Sequence, residues 1–338
     1  MFFFKKRLFN DYAENIYFKE AKKTVKTSSY FNFLYLYQKY IKDYWCDLDI
    51  KKIDSKKVQD YYEYLSTLKN KNGENLSKST INRGILGLFR TILNHAAIHG
   101  EIQPLLLRLK TPNNLKKENK TKIMAEKELE KLKSILKQPL SGGKYRNAKI
   151  FTILALYQGL RIGEICGLKW EDVDFKNKTI SIKRTVNNVY DCEKKDSKLN
   201  ISTPKTESSE RIIPMLDFVA KKMSECFEIC YQNAKMTYCD MKEFNKFYIL
   251  AGKKPTTPRV VRSGFERLLA AYDIPYVKPH SLRHSFCTES INAGCATEAV
   301  SQILGHSNSA ITLNVYNHLT SKKINDTIEI LNRECSNA

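Results

Sequence analysis

His280-Ser281-Leu282-Arg283-His284, then Leu304-Gly305-His306-Ser307, then Asn314-Val315-Tyr316-Asn317-His318 is the run that decides how this chain reads. It holds an arginine and histidines able to grip an anion, followed by one tyrosine able to act as a nucleophile. Upstream lie Arg161, in Gly159-Leu160-Arg161-Ile162-Gly163-Glu164, and Lys205, in Thr203-Pro204-Lys205-Thr206. A metal-free attack on a phosphodiester needs an in-line nucleophile, a base for its proton, an acid for the leaving oxygen and donors for the developing charge. The planar fork of arginine matches two phosphate oxygens, so a pair of arginines is the natural substitute for a metal. Arg161 and Arg283 are the candidates. A tyrosine nucleophile would store the energy of the broken bond in a phosphotyrosine.

The charge balance points the same way. Lys and Arg total 57 against 36 Asp and Glu, a net charge of +21, in a chain of 338 residues that is 42% hydrophobic. The excess runs along the whole sequence, as expected of a globular protein that attracts a polyanion, nucleic acid being the commonest. A membrane surface is the competing reading, but no basic amphipathic helix or lipidation motif stands out. Met1-Phe2-Phe3-Phe4-Lys5-Lys6-Arg7 carries its charges after its apolar residues, the reverse of a signal peptide. The apolar window 150–157 is too short to span a bilayer. A cytoplasmic protein is expected. The nine cysteines are scattered. Cys226, Cys230 and Cys239 are the closest group, and their spacing suits reduced thiols better than zinc, so no metal and no cofactor are expected.

Periodicity predicts a helical block over about 8–100. Ser28 or Ser29 is placed to cap its second helix, Asp54 its third, and Ser77 or Ser79 its fourth, which Gly100 ends. The tyrosines here read as core and the lysines as a solvated face. Lys78, Thr80 and Arg83 lie where the fourth helix begins and could address a DNA phosphate. Residues 104–121 read as a linker containing Pro104, Pro112 and a charge run. Helices are expected over 125–137, 147–158 and 162–168. Residues 179–182 and 211–214 alternate as strands, with a strand pair and an extended loop between them. Further helices are expected over 216–231, 258–272, 281–292, 297–304, 310–316 and 322–334. The fold class is therefore mainly α with a small antiparallel β-sheet, in two domains.

With these residues in view, the chain resembles the tyrosine recombinases of the phage integrase family. The resemblance covers nearly the whole chain and is specific from Gly159 onward. Arg161, with Glu164 behind it, matches the family's Gly-Leu-Arg-x-x-Glu turn. Lys205 precedes Ser208-Ser209-Glu210-Arg211-Ile212-Ile213-Pro214, as the family's hairpin lysine does. His280 and Arg283 match its His-x-x-Arg box, His306 its Leu-Gly-His, and Tyr316 its nucleophile. The resemblance implies that Tyr316 attacks to form a 3′-phosphotyrosyl link. Arg161 and Arg283 would then hold the scissile phosphate, Lys205 would protonate the 5′ oxygen, and His280 and His306 would assist proton transfer. It also implies a helical SAM-like core-binding domain over 1–110, a linker over 111–122 and a catalytic domain over 123–338, closing on DNA as a clamp. No additional arm-binding domain is expected at the N-terminus. Implied partners are double-stranded DNA carrying specific sites, three further copies in a tetramer on two duplexes, and an accessory directionality factor.

Each residue alone also has a plain reading. Arg161 could be a surface charge or an ion pair with Glu164, Arg283 and His284 could cap their helix, and His306 could be a turn histidine. Lys195 and Lys198 compete with Lys205. Zinc at His280 and His284 would suit a metalloprotease only with Glu at 281, where the chain has serine. Two other functions share the pattern: DNA relaxation like that of type IB topoisomerases, and DNA binding without cleavage.

Overall fold

The computed structural model describes residues 6–70, 72–115, 124–140, 143–191, 196–202, 210–237 and 239–305. The chain divides into two compact units. One comprises Met1–Lys120 with Val189–Lys198, the other Thr121–Asn188 with Leu199–Ala338.

The first unit is helical. α1 (Phe9–Tyr12) passes through a π-helical turn, Ala13–Tyr17, into α2 (Phe18–Thr24). α3 (Thr27–Leu36) runs into a second π-helical turn, Tyr37–Ile41. Neither Ser28 nor Ser29 caps α3. The helix starts earlier, after Lys26, whose carbonyl accepts from the Ser29 and Tyr30 amides, so both serines lie inside the first turn. α4 (Ser55–Thr67) is capped as expected, Asp54 Oδ1 accepting from Lys57 N at 2.8 Å. Its stripe of Val58, Tyr61, Tyr62 and Leu65 is buried. Ser77 Oγ accepts from Thr80 N at the entry to a third π-helical turn, Thr80–Ile85, which continues as α5 (Leu86–Ile98). The core is aromatic: Trp45 stacks on Phe89 at 4.8 Å between ring centroids, and Phe9 and Tyr61 pack around them. Contacts of this kind add about 0.5–1.5 kcal/mol per pair beyond the area they bury.

The second unit is built around one buried helix. α6 (Glu126–Lys137) opens with Glu128 Oε2 accepting from Ala125 N. α7 (Arg146–Tyr157) is buried from Ala148 to Leu156 without a polar face, and α6, α9, α11 and α12 pack around it. α8 (Ile162–Gly167) follows, then a 3₁₀ turn, Trp170–Asp172. Strands β1 (Val173–Asp174), β2 (Thr179–Ile182) and β5 (Arg211–Pro214) form an antiparallel sheet in the order β1-β2-β5. Ile180 faces Ile213 across the ladder, and Ile182 faces Arg211. Ile180, Ile182 and Ile213 are buried while Ile212 is exposed, the alternation expected of a one-sided sheet. β3 (Thr185–Asp191) and β4 (Asp196–Ser202) pair separately.

The remaining helices are α9 (Asp217–Lys235), α10 (Met241–Phe244), α11 (Pro258–Ala271), α12 (Pro279–Asn292) and α13 (Thr297–Leu304). α10 was not expected from periodicity. It is a single turn held by Asp240 Oδ1 on Glu243 N. Thr257 caps α11, with Pro258 in its first turn. Cys166, Cys226, Cys239 and Cys287 are buried thiols as expected, whereas Cys46 and Cys295 are exposed. The helices expected over 310–316 and 322–334 lie outside the described residues. No described helix is long and apolar enough to cross a membrane.

Candidate active site

The centre of the second unit is the C-terminal end of α13, where three arginines meet its last carbonyls. Gly159 begins the arrangement. It ends the α7 segment at φ +63°, and a Cβ there would sit 2.5 Å from Leu304 Cδ2 and 2.6 Å from Phe286 Cδ1. Only glycine meets both demands. Two residues on, Arg161 stands at the N-terminus of α8. Glu164, in that helix's first turn, reaches back so that Oε2 accepts from Arg161 N at 2.9 Å and Oε1 from Arg161 Nη1 at 2.8 Å. The Arg-x-x-Glu spacing is thus half of a capping box and an ion pair together.

Arg161 also donates from Nη1 to Leu304 O at 3.3 Å and from Nη2 to Gly305 O at 3.0 Å. Arg283, on the buried face of α12, donates from Nη1 to Gly159 O at 2.6 Å and from Nη2 to the same Leu304 oxygen at 2.8 Å. The two guanidinium groups therefore share one acceptor. Arg211, on β5, donates from Nε to Ile303 O at 2.7 Å and grips both Glu164 oxygens at 3.2 and 3.1 Å. Gly305, at φ +63°, passes so close to Arg211 that a Cβ would lie 2.9 Å from its Nη1.

The electrostatics follow from this packing. Three guanidinium groups face one carboxylate, so the cluster keeps an excess of positive charge. Burial alone would raise the Glu164 carboxyl; the hydrogen bonds and charge of Arg211, with Arg161, outweigh it and hold the group below its ordinary range. Burial first, then the charge of Arg161, lowers Arg283 to about 9, so it remains cationic at neutral pH. Two like charges held on one carbonyl oxygen repel, the more so because Arg283 is buried. An anion placed between them would remove that cost.

His280, at the start of α12, has an exposed ring packed edge-on to His284 at 4.5 Å. Partial desolvation, then the neighbouring His284, Arg283 and Arg161, push it down to about 4, so it is neutral at pH 7. Burial and Arg283 lower His284 in the same direction.

The structure thus brings Arg161, Glu164, His280 and Arg283 together. Lys205, His306 and Tyr316 lie outside the described residues, although Gly305, held by Arg161, is the sequence neighbour of His306. Lys78, Thr80 and Arg83 belong to the other unit. Arg83 is exposed, Lys78 and Thr80 are half-buried, and Thr80 Oγ1 bonds Ser77 Oγ at 2.8 Å. Arg211 was not among the expected site residues. Its signal was present in the Ser-Ser-x-Arg-x-Ile-Pro stretch, but nothing local told that the side chain turns toward Glu164.

Comparison with known proteins bears on this arrangement. The family model described as Phage integrase family matches residues 122–323, and that described as Phage integrase SAM-like domain matches residues 8–105. A Tyrosine recombinase XerC-like protein from Caldanaerobacter subterraneus subsp. tengcongensis is 27% identical over 88% of this chain and 75% of its own length. The transposase from transposon Tn916 of Enterococcus faecalis is 32% identical over 54% of this chain, but only 45% of the transposase is covered. Among solved structures, the Tn1549 transposon integrase in complex with a circular intermediate DNA superposes with a TM-score of 0.72 at 23% identity, over 96% of this chain and 98% of the other. A lambda integrase dimer bound to a core site gives 0.56 at 15% identity, over 91% and 95%. At these identities the structural likeness is one of fold.

Proposed function

We propose that this chain, which belongs to the phage integrase family of tyrosine recombinases, cuts and rejoins double-stranded DNA at specific sites through a covalent link to Tyr316. The Tyr316 oxygen attacks the scissile phosphorus. The Tyr–O–P bond forms as the bond from phosphorus to the 5′ oxygen breaks, leaving a 3′-phosphotyrosine, and attack by a free 5′ hydroxyl reverses it. Arg161 and Arg283 hold the non-bridging oxygens. The observation that carries this reading is their shared hydrogen-bond acceptor, which puts two guanidinium groups within reach of one small anion. Glu164 and Arg211 position them. His280 is neutral and so is suited to receive a proton or a hydrogen bond. Lys205 supplies the proton for the leaving oxygen, and His306 holds the phosphate beside Arg161.

The helical unit reads as a core-binding domain over 1–110, joined by a linker over 111–122 to a catalytic domain over 123–338. Lys78, Thr80 and Arg83 contact DNA phosphates from the first of these. The names of the relatives support a mobile element as the setting. The active assembly is a tetramer on two duplexes, with an accessory factor setting direction, and the protein works in the cytoplasm, where its DNA is.

The test uses nicked duplexes carrying the sequences that flank the gene. The wild-type protein should form a denaturation-resistant adduct with the 3′ end, and Tyr316→Phe should form none while still shifting the duplex in a gel. An adduct formed by the Phe variant would show that another residue is the nucleophile. Relaxation of any plasmid without site preference would point instead to a topoisomerase.

A further inference from the structure

We propose that Glu20, His95 and His99, in the first unit, form a binding site for a divalent transition-metal ion, zinc by ligand chemistry, that staples α2 to the C-terminal end of α5. The spacing His95-x-x-x-His99 puts both imidazoles on one side of the C-terminal end of α5, His95 in its last turn and His99 at its C-cap. Their ring centroids are 4.3 Å apart and the planes 28° from parallel. Both rings address a single carboxylate oxygen: Glu20 Oε2 lies 3.1 Å from His95 Nε2 and 3.8 Å from His99 Nε2. One donor atom from each residue falls within 4.8 Å of the others. Tetrahedral zinc with bonds of ~2.0–2.1 Å separates its ligand atoms by ~3.4 Å. The two measured separations bracket that value, so small rotamer adjustments bring all three donors onto one ion.

A second contact completes the arrangement. The other nitrogen of His95, Nδ1, is 2.6 Å from the Tyr12 hydroxyl. Ligating histidines characteristically bond an oxygen through the ring nitrogen that faces away from the metal, which fixes the tautomer and the ring plane. Tyr12 stays protonated, pushed up to about 12 by burial first and then by Glu101 and Glu20. A metal ion gives each nitrogen lone pair its own bond. The set of two imidazoles and one carboxylate favours zinc over magnesium or calcium, which prefer oxygen ligands. His99 and Glu20 are about half exposed, with side-chain exposures of 45% and 49%, so an ion can enter and keep a water as its fourth ligand.

Cobalt(II) is the probe, because its visible spectrum reports the ligand set. The full chain, stripped with a chelator and dialysed, is titrated with cobalt and then displaced with zinc. The expected result is one tightly bound equivalent showing a tetrahedral spectrum without a thiolate charge-transfer band. Affinity should fall at least tenfold in both His99→Gln and Glu20→Gln. Zinc should also raise the unfolding temperature of the wild type and leave both variants unmoved. The two replaced side chains are exposed, and circular dichroism checks that the variants fold. Unchanged affinity in both variants, a thiolate band, or no bound cobalt at millimolar concentration would each overturn the assignment.

Discussion

Replacing Arg211 by Met tests whether the arginine cluster is held together by the buried carboxylate. Arg211 is 8% exposed at its side chain and Glu164 2%, so the pair is sealed from solvent. The substitution removes the hydrogen bonds at 3.2 and 3.1 Å to Glu164 and the one at 2.7 Å to Ile303 O. Breaking a buried ion pair costs about 3–5 kcal/mol when the remaining charge is stranded. Glu164 still keeps Arg161, through its amide and its Nη1, which places the expected loss at the lower end, about 3 kcal/mol. With a urea slope of about 2 kcal/mol per molar, the midpoint should fall by ~1.5 M. The chain has two tryptophans, Trp45 in the core of the first unit and Trp170 in that of the second. In a Trp45→Phe background, fluorescence therefore follows the unit that holds the site.

The pH dependence gives the sharper reading. The Glu164 carboxyl is held below its ordinary value in the fold. Its contribution is therefore present above the unfolded pKa and disappears as pH falls through the folded one. Without Arg211, burial is left to push the carboxyl upward. The variant's deficit should then be largest at pH 7–8, begin to shrink as pH falls through the variant's raised carboxyl, and go on shrinking below about 4.3, the ordinary glutamate value, as the wild-type contribution is lost. A midpoint shift under 0.5 M, or one equally large at pH 4 and pH 8, would refute the reasoning.

Other perturbations probe separate parts. Gly159→Ala must adopt a positive φ, at about 1–2 kcal/mol, and drive its methyl into Leu304 and Phe286, at ~1–3 kcal/mol more; urea unfolding at the wild-type midpoint would contradict the packing described. His280 should titrate near pH 4, followed by NMR of labelled histidine, rather than near its ordinary ~6.5. Because that folded pKa is depressed, the unfolded chain takes up the proton first and stability declines as pH falls from ~6.5 toward 4; a midpoint near 6.5 would sink the electrostatic argument. Lys78→Ala and Arg83→Ala should each lower the slope of log affinity against log salt by about one if the side chain neutralises a phosphate, with unfolding free energy within ~0.5 kcal/mol of wild type. Unchanged slopes would remove them from the DNA-facing surface.

The sequence by itself determined what depends on neighbours within a few positions. Asp54 before α4, Thr257 before α11 and the alternation of Ile180 and Ile182 act through adjacent backbone amides or a fixed two-residue period, so they could be read without coordinates. The Arg-x-x-Glu turn belongs to the same class. The π-helical turns were not legible, because each spans about a single turn, too short a run for a change of period to show in the hydrophobic pattern. α3 began earlier than its serines suggested, after Lys26 and with no side-chain cap. Tertiary structure alone decided that Arg161 and Arg283, more than a hundred positions apart, share the Leu304 carbonyl, and that Arg211 turns to Glu164 rather than to solvent. The same holds for Glu20 meeting His95 and His99 at the end of α5. These contacts form because burial in a crowded core makes each charged group pair with whatever the packing brings near it, and no local period records that choice.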